Sequence, residues 1–370
     1  MGLFEEHGPL KVIKDESGQP KAVLRNETWN REFALLFIDS PVGTGFSFTS
    51  DESFYATTHQ EVSRDLLEAL KQFFTVYSEY RGNPFFITGQ SYAGKFVASL
   101  GAAIHRLGGT REETMERWGI NLQGFAIGNG LCDPASQLNY GDFLSATGLI
   151  DRKQRDWYRE REVKMRKAIE EGDRAVFMEH LNRLWDAFEG HTGLRWQYNF
   201  LEQYSPKEMA NWKYFYFDAS TRASLHLGSH HRRNGFEVVR QRLQEKDLMA
   251  GVKAEVEELL EAGYRALFYA GNLDIIVAAP LVEGFVHSLN WTAGGGGQKF
   301  YDSARIIYRM NFNSSAVAGY VKEVGNLLYV VVRNAGHLVP YDQPRVALDM
   351  ITRFVKGRSF TYCAELTDNC

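Results

Sequence analysis

The feature that most constrains the fold is the segment FFITGQSYAG at residues 85–94, where an apolar, strand-like run passes through a tight turn into a helix-forming stretch. Such a turn holds its central residue, here Ser91, in strained backbone geometry with the hydroxyl exposed. The positions two before and two after that serine must be small, and Gly89 and Ala93 meet this requirement. A bare G-x-S-x-A also occurs in ordinary strand-to-helix turns. It is the predicted strand before this turn and the predicted helix after it that favour Ser91 as a candidate nucleophile.

Short apolar runs typical of buried parallel strands recur along the chain and end in glycine-containing turns. Between several of them, at Glu61–Phe74 and Gly94–Arg106, apolar residues follow helical spacing. This β-α-β order predicts a mostly parallel central sheet flanked by helices. The predicted strands are Ala34–Ile38, Phe85–Thr88, Gly124–Ile127, Ala266–Tyr269 and Leu327–Val332.

From about Asp151 to Leu201 the sequence changes to a densely charged helical pattern. We interpret it as a helical cap inserted between core strands, with most of its charges on a solvated face. The predicted organisation is core sequence over residues 1–150, the cap over 151–230 and the second part of the core over 231–370.

A nucleophilic serine needs a base, and the base needs an acid that orients it. Asp274 follows the predicted strand Ala266–Tyr269 in a glycine turn, and His337 follows Leu327–Val332 in another strand-end loop. Taken singly, the aspartate fits a turn cap and the histidine fits a hydrogen-bonded loop residue. Three strand-end loops in the order Ser, Asp, His together predict a catalytic triad.

Composition limits the possible partners. The net charge of -4 gives no overall basic field of the kind that nucleic-acid binding requires. No run approaches the roughly 20 apolar residues that span a bilayer. The three cysteines, Cys132, Cys363 and Cys370, cannot all pair within one chain, and their spacing is not that of a zinc site. We therefore predict no metal, no cofactor, no membrane span and no nucleic-acid partner.

Several motifs together resemble the serine carboxypeptidase family, and the resemblance covers essentially the whole chain, more weakly in the cap. The matching segments are Trp29-Asn30, DSPVGTGFS at 39–47, GQSYAG at 89–94, GNG at 128–130, and Gly336-His337 with YDQP at 341–344. LDIIVAA at 273–279 and VAGY at 317–320 resemble the vitellogenic-carboxypeptidase-like branch of that family.

This resemblance implies an α/β-hydrolase fold whose first strands are absent, and a serine-type carboxypeptidase that cleaves peptides with a free carboxy terminus through an acyl-enzyme. It gives Ser91, His337 and Asp274 the roles of nucleophile, base and orienting acid, and makes the Tyr92 backbone N–H an oxyanion donor. Leu338, beside the histidine, is then part of the pocket for the departing residue.

The family binds the substrate carboxylate with a tryptophan-asparagine-glycine stretch and two glutamates. The first glutamate matches Glu6, but the second position is Gln90 in this sequence. Because an amide donates a hydrogen bond without first binding a proton, Gln90 predicts carboxylate recognition that depends less on acid pH.

Three sequons, at Asn26, Asn290 and Asn313, are candidate glycosylation sites. Together with the resemblance, they imply a lysosomal or secreted location for the complete precursor, although this chain shows no signal peptide.

The resemblance also places a glycine-rich motif, W-x-x-G-G-P-G-x-S-S, just upstream of Gly2, where this chain lacks it. The strand bearing it lies in the family between those matching Ala34–Ile38 and Phe85–Thr88. We therefore expect this chain to be truncated, poorly folded and nearly inactive. Restoring the upstream segment is expected to rescue both its folding and its activity.

Two other functions stay open at this point. Relatives that transfer acyl groups to alcohols use the same triad. A binding protein descended from the enzyme would fit Gln90 and the missing oxyanion loop. Release of a free amino acid from a blocked dipeptide separates the first alternative from a peptidase, and Ser91-dependent labelling by a fluorophosphonate argues against the second.

Overall fold

Four parallel strands form the centre of the computed structural model, which describes residues 2–226, 235–311 and 316–360. In the described residues the main sheet has the order β3-β4-β5-β8-β7-β6, with β7 and β6 antiparallel to their neighbours, and β1 pairs with β2 in a separate hairpin. The strands are β1 Leu10–Lys14, β2 Pro20–Leu24, β3 Pro84–Gln90, β4 Asn121–Gly128, β5 Arg265–Gly271, β6 Ile306–Tyr308, β7 Gly319–Val324 and β8 Leu327–Val332.

The central strands are buried on both faces, which explains their continuous apolar sequences. All six residues of β8 are buried. Alternate side chains point to opposite faces, so Phe268 packs in one core layer while Leu267 packs in the other. The four predicted strands from Phe85–Thr88 onward are confirmed: Leu327–Val332 matches β8 at both ends, and the other three agree within three residues at each end.

Helices cover both faces of the sheet. One face carries α1, α2, α10 and α11, and the other carries α14. The helices are α1 His59–Val76, α2 Ala93–Gly108, α3 Arg111–Trp118, α4 Tyr140–Ala146, α5 Arg152–Glu171, α6 Arg174–Thr192, α7 Asn211–Phe217, α8 Ala219–Ser224, α9 Phe236–Lys246, α10 Lys253–Glu261, α11 Ala279–Ser288, α12 Gly296–Asp302, α13 Val339–Asp342 and α14 Pro344–Lys356.

The prediction of a strand at Ala34–Ile38 is wrong for this structure, because residues 34–40 have no regular secondary structure. Leu36 and Ile38 are 43% and 40% exposed, although their sequence favours a strand. A strand needs a neighbour to satisfy its backbone groups. Within the described ranges β3 pairs only with β4 and forms an edge of the sheet. No strand on its other side links residues 34–38 to the sheet.

The charged helical insertion folds as a pair of long helices. Asp151 begins α5 with a capping box, in which its side chain accepts from the Gln154 N–H and the Gln154 side chain accepts from the Asp151 N–H. Buried residues of α5 and α6, among them Tyr158, Met165 and Leu184, form an apolar cluster with α4. The boundary predicted at residue 230 lies outside the described residues. The three-part division of the chain stays a prediction.

Candidate active site

The predicted triad residues lie at the carboxyl ends of neighbouring parallel strands. Ser91 follows β3, Asp274 follows β5 and His337 follows β8 by a short loop. Asn129 follows β4, which lies between β3 and β5. Because the carboxyl ends of parallel strands meet at one edge, these four loops share a single side of the sheet.

Ser91 occupies a strained turn. Its φ is +59°, a conformation that residues other than glycine rarely adopt. Backbone hydrogen bonds hold it to the end of β4 and to the loop that follows: its N–H donates to the carbonyl of Gly128, the last residue of β4, at 3.0 Å, and its carbonyl accepts from the Leu131 N–H at 2.9 Å. A Cβ at Gly89 would lie 2.6 Å from Val97 Cγ2, so the turn requires glycine there, as the sequence predicts.

Asp274 and His337 form a buried hydrogen-bonded pair, with 2.7 Å between Asp274 Oδ2 and His337 Nδ1. The carboxylate also accepts from the backbone N–H of Ile276 at 2.9 Å and of Val277 at 3.3 Å, and from Asn129 Nδ2 at 2.7 Å. These donors stabilise the ionised carboxylate, which in turn fixes the proton of the neutral imidazole on Nδ1. His337 Nε2 has no hydrogen-bond partner among the described residues.

Two residues, Tyr198 and Gln90, hold the His337 loop in place. The His337 N–H donates to the Tyr198 carbonyl at 2.6 Å, and the Tyr198 ring lies 4.4 Å from the imidazole, centroid to centroid. The Gln90 side-chain amide donates to the His337 carbonyl. Gln90 immediately precedes Ser91, so this contact joins the loops that carry the serine and the histidine.

Sequence reasoning missed Asn129 and Tyr198. Asn129 could have been found, because it follows a predicted strand in the GNG motif. Asparagine between glycines is typical of turns with positive φ, and its φ in the structure is +41°. Tyr198 had no such signal, since it comes from the insertion and contributes mainly a backbone carbonyl and a ring face.

The other predicted site residues lie around this pair. Tyr92 precedes the first turn of α2, where helix N–H groups lack partners within the helix. Glu6 is buried, and this burial raises its pKa. Gln90 is engaged with His337 as described. Leu338 is buried and lines a cavity of about 370 Å³, together with Trp196, Tyr198, Asn199, Glu202, Pro206, Glu208, Met209, Tyr341 and Asp342.

The remaining predicted positions are partly described. Asn26 and Asn290 are exposed, whereas Asn313, Cys363 and Cys370 lie outside the described residues. Cys132 is buried and has no disulfide partner among the described residues, and its burial raises the pKa of the thiol. In the described part of the chain, no group of three or more His, Cys, Asp or Glu side chains could hold a metal ion, and no helix is long and apolar enough to cross a bilayer.

Comparison with known proteins decides the family. The Peptidase S10 family, serine carboxypeptidase, matches residues 1–357. The chain belongs to the serine carboxypeptidase family. Its similarity to the human probable serine carboxypeptidase CPVL is 36% identity over 368 residues, covering 97% of this chain and 74% of the relative. The vitellogenic carboxypeptidase of Aedes aegypti is also 36% identical, over 95% of this chain and 73% of the relative. The predicted branch is therefore confirmed.

A solved structure supports the fold of this serine carboxypeptidase. Kex1, a prohormone-processing carboxypeptidase from Saccharomyces cerevisiae, superposes with a TM-score of 0.79 over 96% of this chain and 80% of its own, at 24% identity. The α/β-hydrolase fold is thus confirmed. As a member of the family, the protein is a hydrolase of the serine carboxypeptidase type.

Proposed function

We propose that Ser91, His337 and Asp274 form the catalytic triad of this carboxypeptidase and that it removes carboxy-terminal residues from peptides. The observation that supports this most is the buried Asp274–His337 pair, which leaves Nε2 as the ring nitrogen that can serve Ser91. The strained turn at Ser91 supports the role of nucleophile, since its N–H is hydrogen-bonded to the end of β4 and its carbonyl to the loop that follows.

In the acylation step the Ser91 oxygen attacks the carbonyl carbon of the last peptide bond, while His337 Nε2 accepts the hydroxyl proton. The Tyr92 N–H donates to the oxyanion of the tetrahedral intermediate. As that intermediate collapses, the C–N bond breaks and the proton on Nε2 passes to the leaving amine, which departs as a free amino acid.

In the deacylation step water attacks the Ser91 ester and gives a proton to His337 Nε2. The C–O bond to Ser91 then breaks, and the proton returns to the serine oxygen. Asp274 stays ionised throughout and stabilises the imidazolium that forms in each step.

Glu6 and Gln90 are proposed to bind the terminal carboxylate of the substrate. Burial raises the pKa of Glu6, which favours its neutral form, the form that donates a hydrogen bond. The Gln90 amide donates at any pH. Leu338, on the wall of the 370 Å³ cavity beside His337, is proposed to contact the side chain of the departing residue.

We also propose that the protein acts in the lysosome or after secretion. Its glycans would be attached at Asn26 and Asn290, whose side chains are exposed, and at Asn313. Treatment with an endoglycosidase and a shift in mass at these asparagines test this part.

The test of the peptidase function is the release of a free amino acid from a blocked dipeptide, with Ser91→Ala as the paired variant. The proposal expects turnover by the wild type and loss of both turnover and fluorophosphonate labelling in Ser91→Ala. Transfer of an acyl group from an activated ester to an added alcohol, with no release of an amino acid from the dipeptide, favours an acyltransferase. Labelling that persists in Ser91→Ala contradicts Ser91 as the nucleophile.

A further inference from the structure

A buried polar cluster lies directly beside the nucleophile turn. We call it the Asp247 cluster, and it consists of His59, Tyr92, Lys95 and Asp247. His59 and Lys95 are fully buried, and Asp247 is 1% exposed. The members come from the start of α1, from the beginning of α2 and from the residue that follows α9. Burying this many ionisable groups costs free energy unless each is well partnered.

Asp247 is the centre of the cluster and is bonded through both carboxylate oxygens. Oδ2 accepts from the Tyr92 hydroxyl at 2.7 Å. Oδ1 accepts from the His59 backbone N–H at 2.8 Å and lies 2.6 Å from His59 Nδ1. Lys95 Nζ donates to the backbone carbonyls of Asp247 at 2.6 Å and Leu248 at 3.1 Å. Side chain and backbone of this residue thus both hold the first turn of α2.

The charges around the cluster keep Asp247 ionised. Although burial alone would raise its pKa, the His59 hydrogen bond and the Lys95 charge lower the pKa of Asp247 to about 2. Burial lowers the pKa of Lys95 to about 8. Two further acids face the cluster: Glu255 from α10, 3.8 Å from His59 Nε2, and Asp133 from the loop after β4, which acts on Lys95.

The position of Tyr92 connects this cluster with the chemistry. Tyr92 supplies the proposed oxyanion N–H and adjoins Ser91, whose φ of +59° persists only if surrounding contacts hold it. On the sheet side, Gly128 at the end of β4 and Leu131 in the following loop hold that turn through backbone hydrogen bonds. The Tyr92 hydroxyl bond to Asp247 provides a second, side-chain anchor.

We propose that Asp247 is a positioning residue for catalysis: by holding the Tyr92 hydroxyl and the Lys95 ammonium, it fixes the Tyr92 N–H and the Ser91 oxygen relative to the scissile carbonyl. This inference rests on the proposed roles of Ser91 and Tyr92. It assigns an effect on catalysis to Asp247, which lies 156 positions after the nucleophile in the sequence.

The proposal predicts that the variants bind the transition state less tightly but bind the substrate about as well as the wild type does. Complete removal of an oxyanion donor costs about a hundredfold or more in kcat, and a small displacement of the donor costs less. We therefore expect Tyr92→Phe and Asp247→Asn to lower kcat about tenfold or more while KM changes by less than about twofold. Affinity for a peptide phosphonate, which mimics the tetrahedral intermediate, falls in parallel, whereas affinity for the blocked amino-acid product is retained.

The matched control is Tyr308→Phe. Its hydroxyl donates to Asp349 Oδ2 at 2.5 Å, so this variant likewise removes a hydrogen bond from a tyrosine to an aspartate. Tyr308 is fully buried where Tyr92 is half-buried, and it lies on β6, away from the turn. A loss of thermal stability without a change in kcat or phosphonate affinity is expected for this control. If Asp247→Asn does not fold, Tyr92→Phe decides the question, because it removes a single oxygen.

Three outcomes separate the possibilities. If Ser91→Ala retains the activity, the proposed function itself fails. If Ser91→Ala is inactive but Tyr92→Phe keeps wild-type kcat and phosphonate affinity, the positioning role is wrong and the triad stands. If Tyr308→Phe loses kcat and phosphonate affinity as strongly as Tyr92→Phe, the effect reflects general loss of stability and the inference is also overturned.

Discussion

Replacing Gln90 by glutamate tests how this carboxypeptidase uses the residue before its nucleophile. The Gln90 amide donates to the backbone carbonyl of His337, and a carboxyl group can do so only while it is protonated. Once ionised, it faces the carbonyl oxygen without a hydrogen. The lost bond and the repulsion together cost about 1–3 kcal/mol. At 1.36 kcal/mol for each tenfold change in proton affinity, this raises the pKa of the introduced carboxyl from about 4.3 to about 5–6.5.

The sign of the pH dependence follows from that raised pKa. The folded state favours the protonated carboxyl, so Gln90→Glu matches the wild type below about pH 4 and loses stability and activity as the pH rises to about 7. We expect the ratio of wild-type to variant kcat/KM to be near one at pH 4 and about 5–150 at pH 7. Taking the ratio cancels pH effects that the two proteins share.

The matched control is Gln343→Glu, since the Gln343 amide also donates to a backbone carbonyl, that of Asn334 at 3.0 Å, but at an exposed position. It introduces the same charge near the same loop, and its ratio should stay near one at every pH. Superimposed pH profiles for wild type and Gln90→Glu would refute both the structural contact and the proposed pH-independent recognition of the substrate.

Three further predictions follow from the site and its surroundings. Asp274→Asn should lower kcat about 10⁴-fold in steady-state assays with little change in the fold, and retention of kcat would rule out its role. Gly89→Ala should lower the free energy of unfolding in urea by about 1–3 kcal/mol, because the new Cβ meets Val97 at 2.6 Å. Gly190→Ala, in open space on α6, should instead raise it by up to about 1 kcal/mol. Cys132 should react with a maleimide only after denaturation, since it is buried, and rapid labelling of the native protein would contradict its placement.

The positions of the candidate triad residues were predictable because buried parallel strands are easy to recognise in a sequence. Buried strands such as β5 and β8 are apolar on both faces, so their ends are marked by the first glycine or polar residues. Asp274 and His337 each stand a few residues beyond such an end. The serine was predictable from local sterics, since Gly89 and Ala93 are small for reasons that the turn itself imposes. The roles of the three residues stay a prediction until they are tested by mutation.

Residues 34–38 were mispredicted for a different reason. Their continuous apolar run, ALLFI, favours a buried strand, but a strand exists only when a neighbour pairs with its backbone groups. The hairpin of β1 and β2 shows the converse: it carries few buried residues, yet the Asp15 carboxylate accepts from the Ser17 and Gln19 N–H groups and closes the turn. Pairing of this kind depends on contacts that a single-sequence pattern does not contain.

Two of the groups that brace the site come from outside the strand-end loops that carry the groups proposed to react. Tyr198, in the loop after α6, contacts His337 through its ring and carbonyl, and Asp247 follows α9 and holds Tyr92. The strand ends fix where the serine and histidine loops begin, but these two contacts fix how the side chains and N–H groups are turned. Small errors in orientation slow catalysis, so substitutions that remove the Tyr198–His337 or Asp247–Tyr92 contact should lower kcat. Substitutions on the solvent face of the insertion, such as those on the charged side of α5, should leave it unchanged.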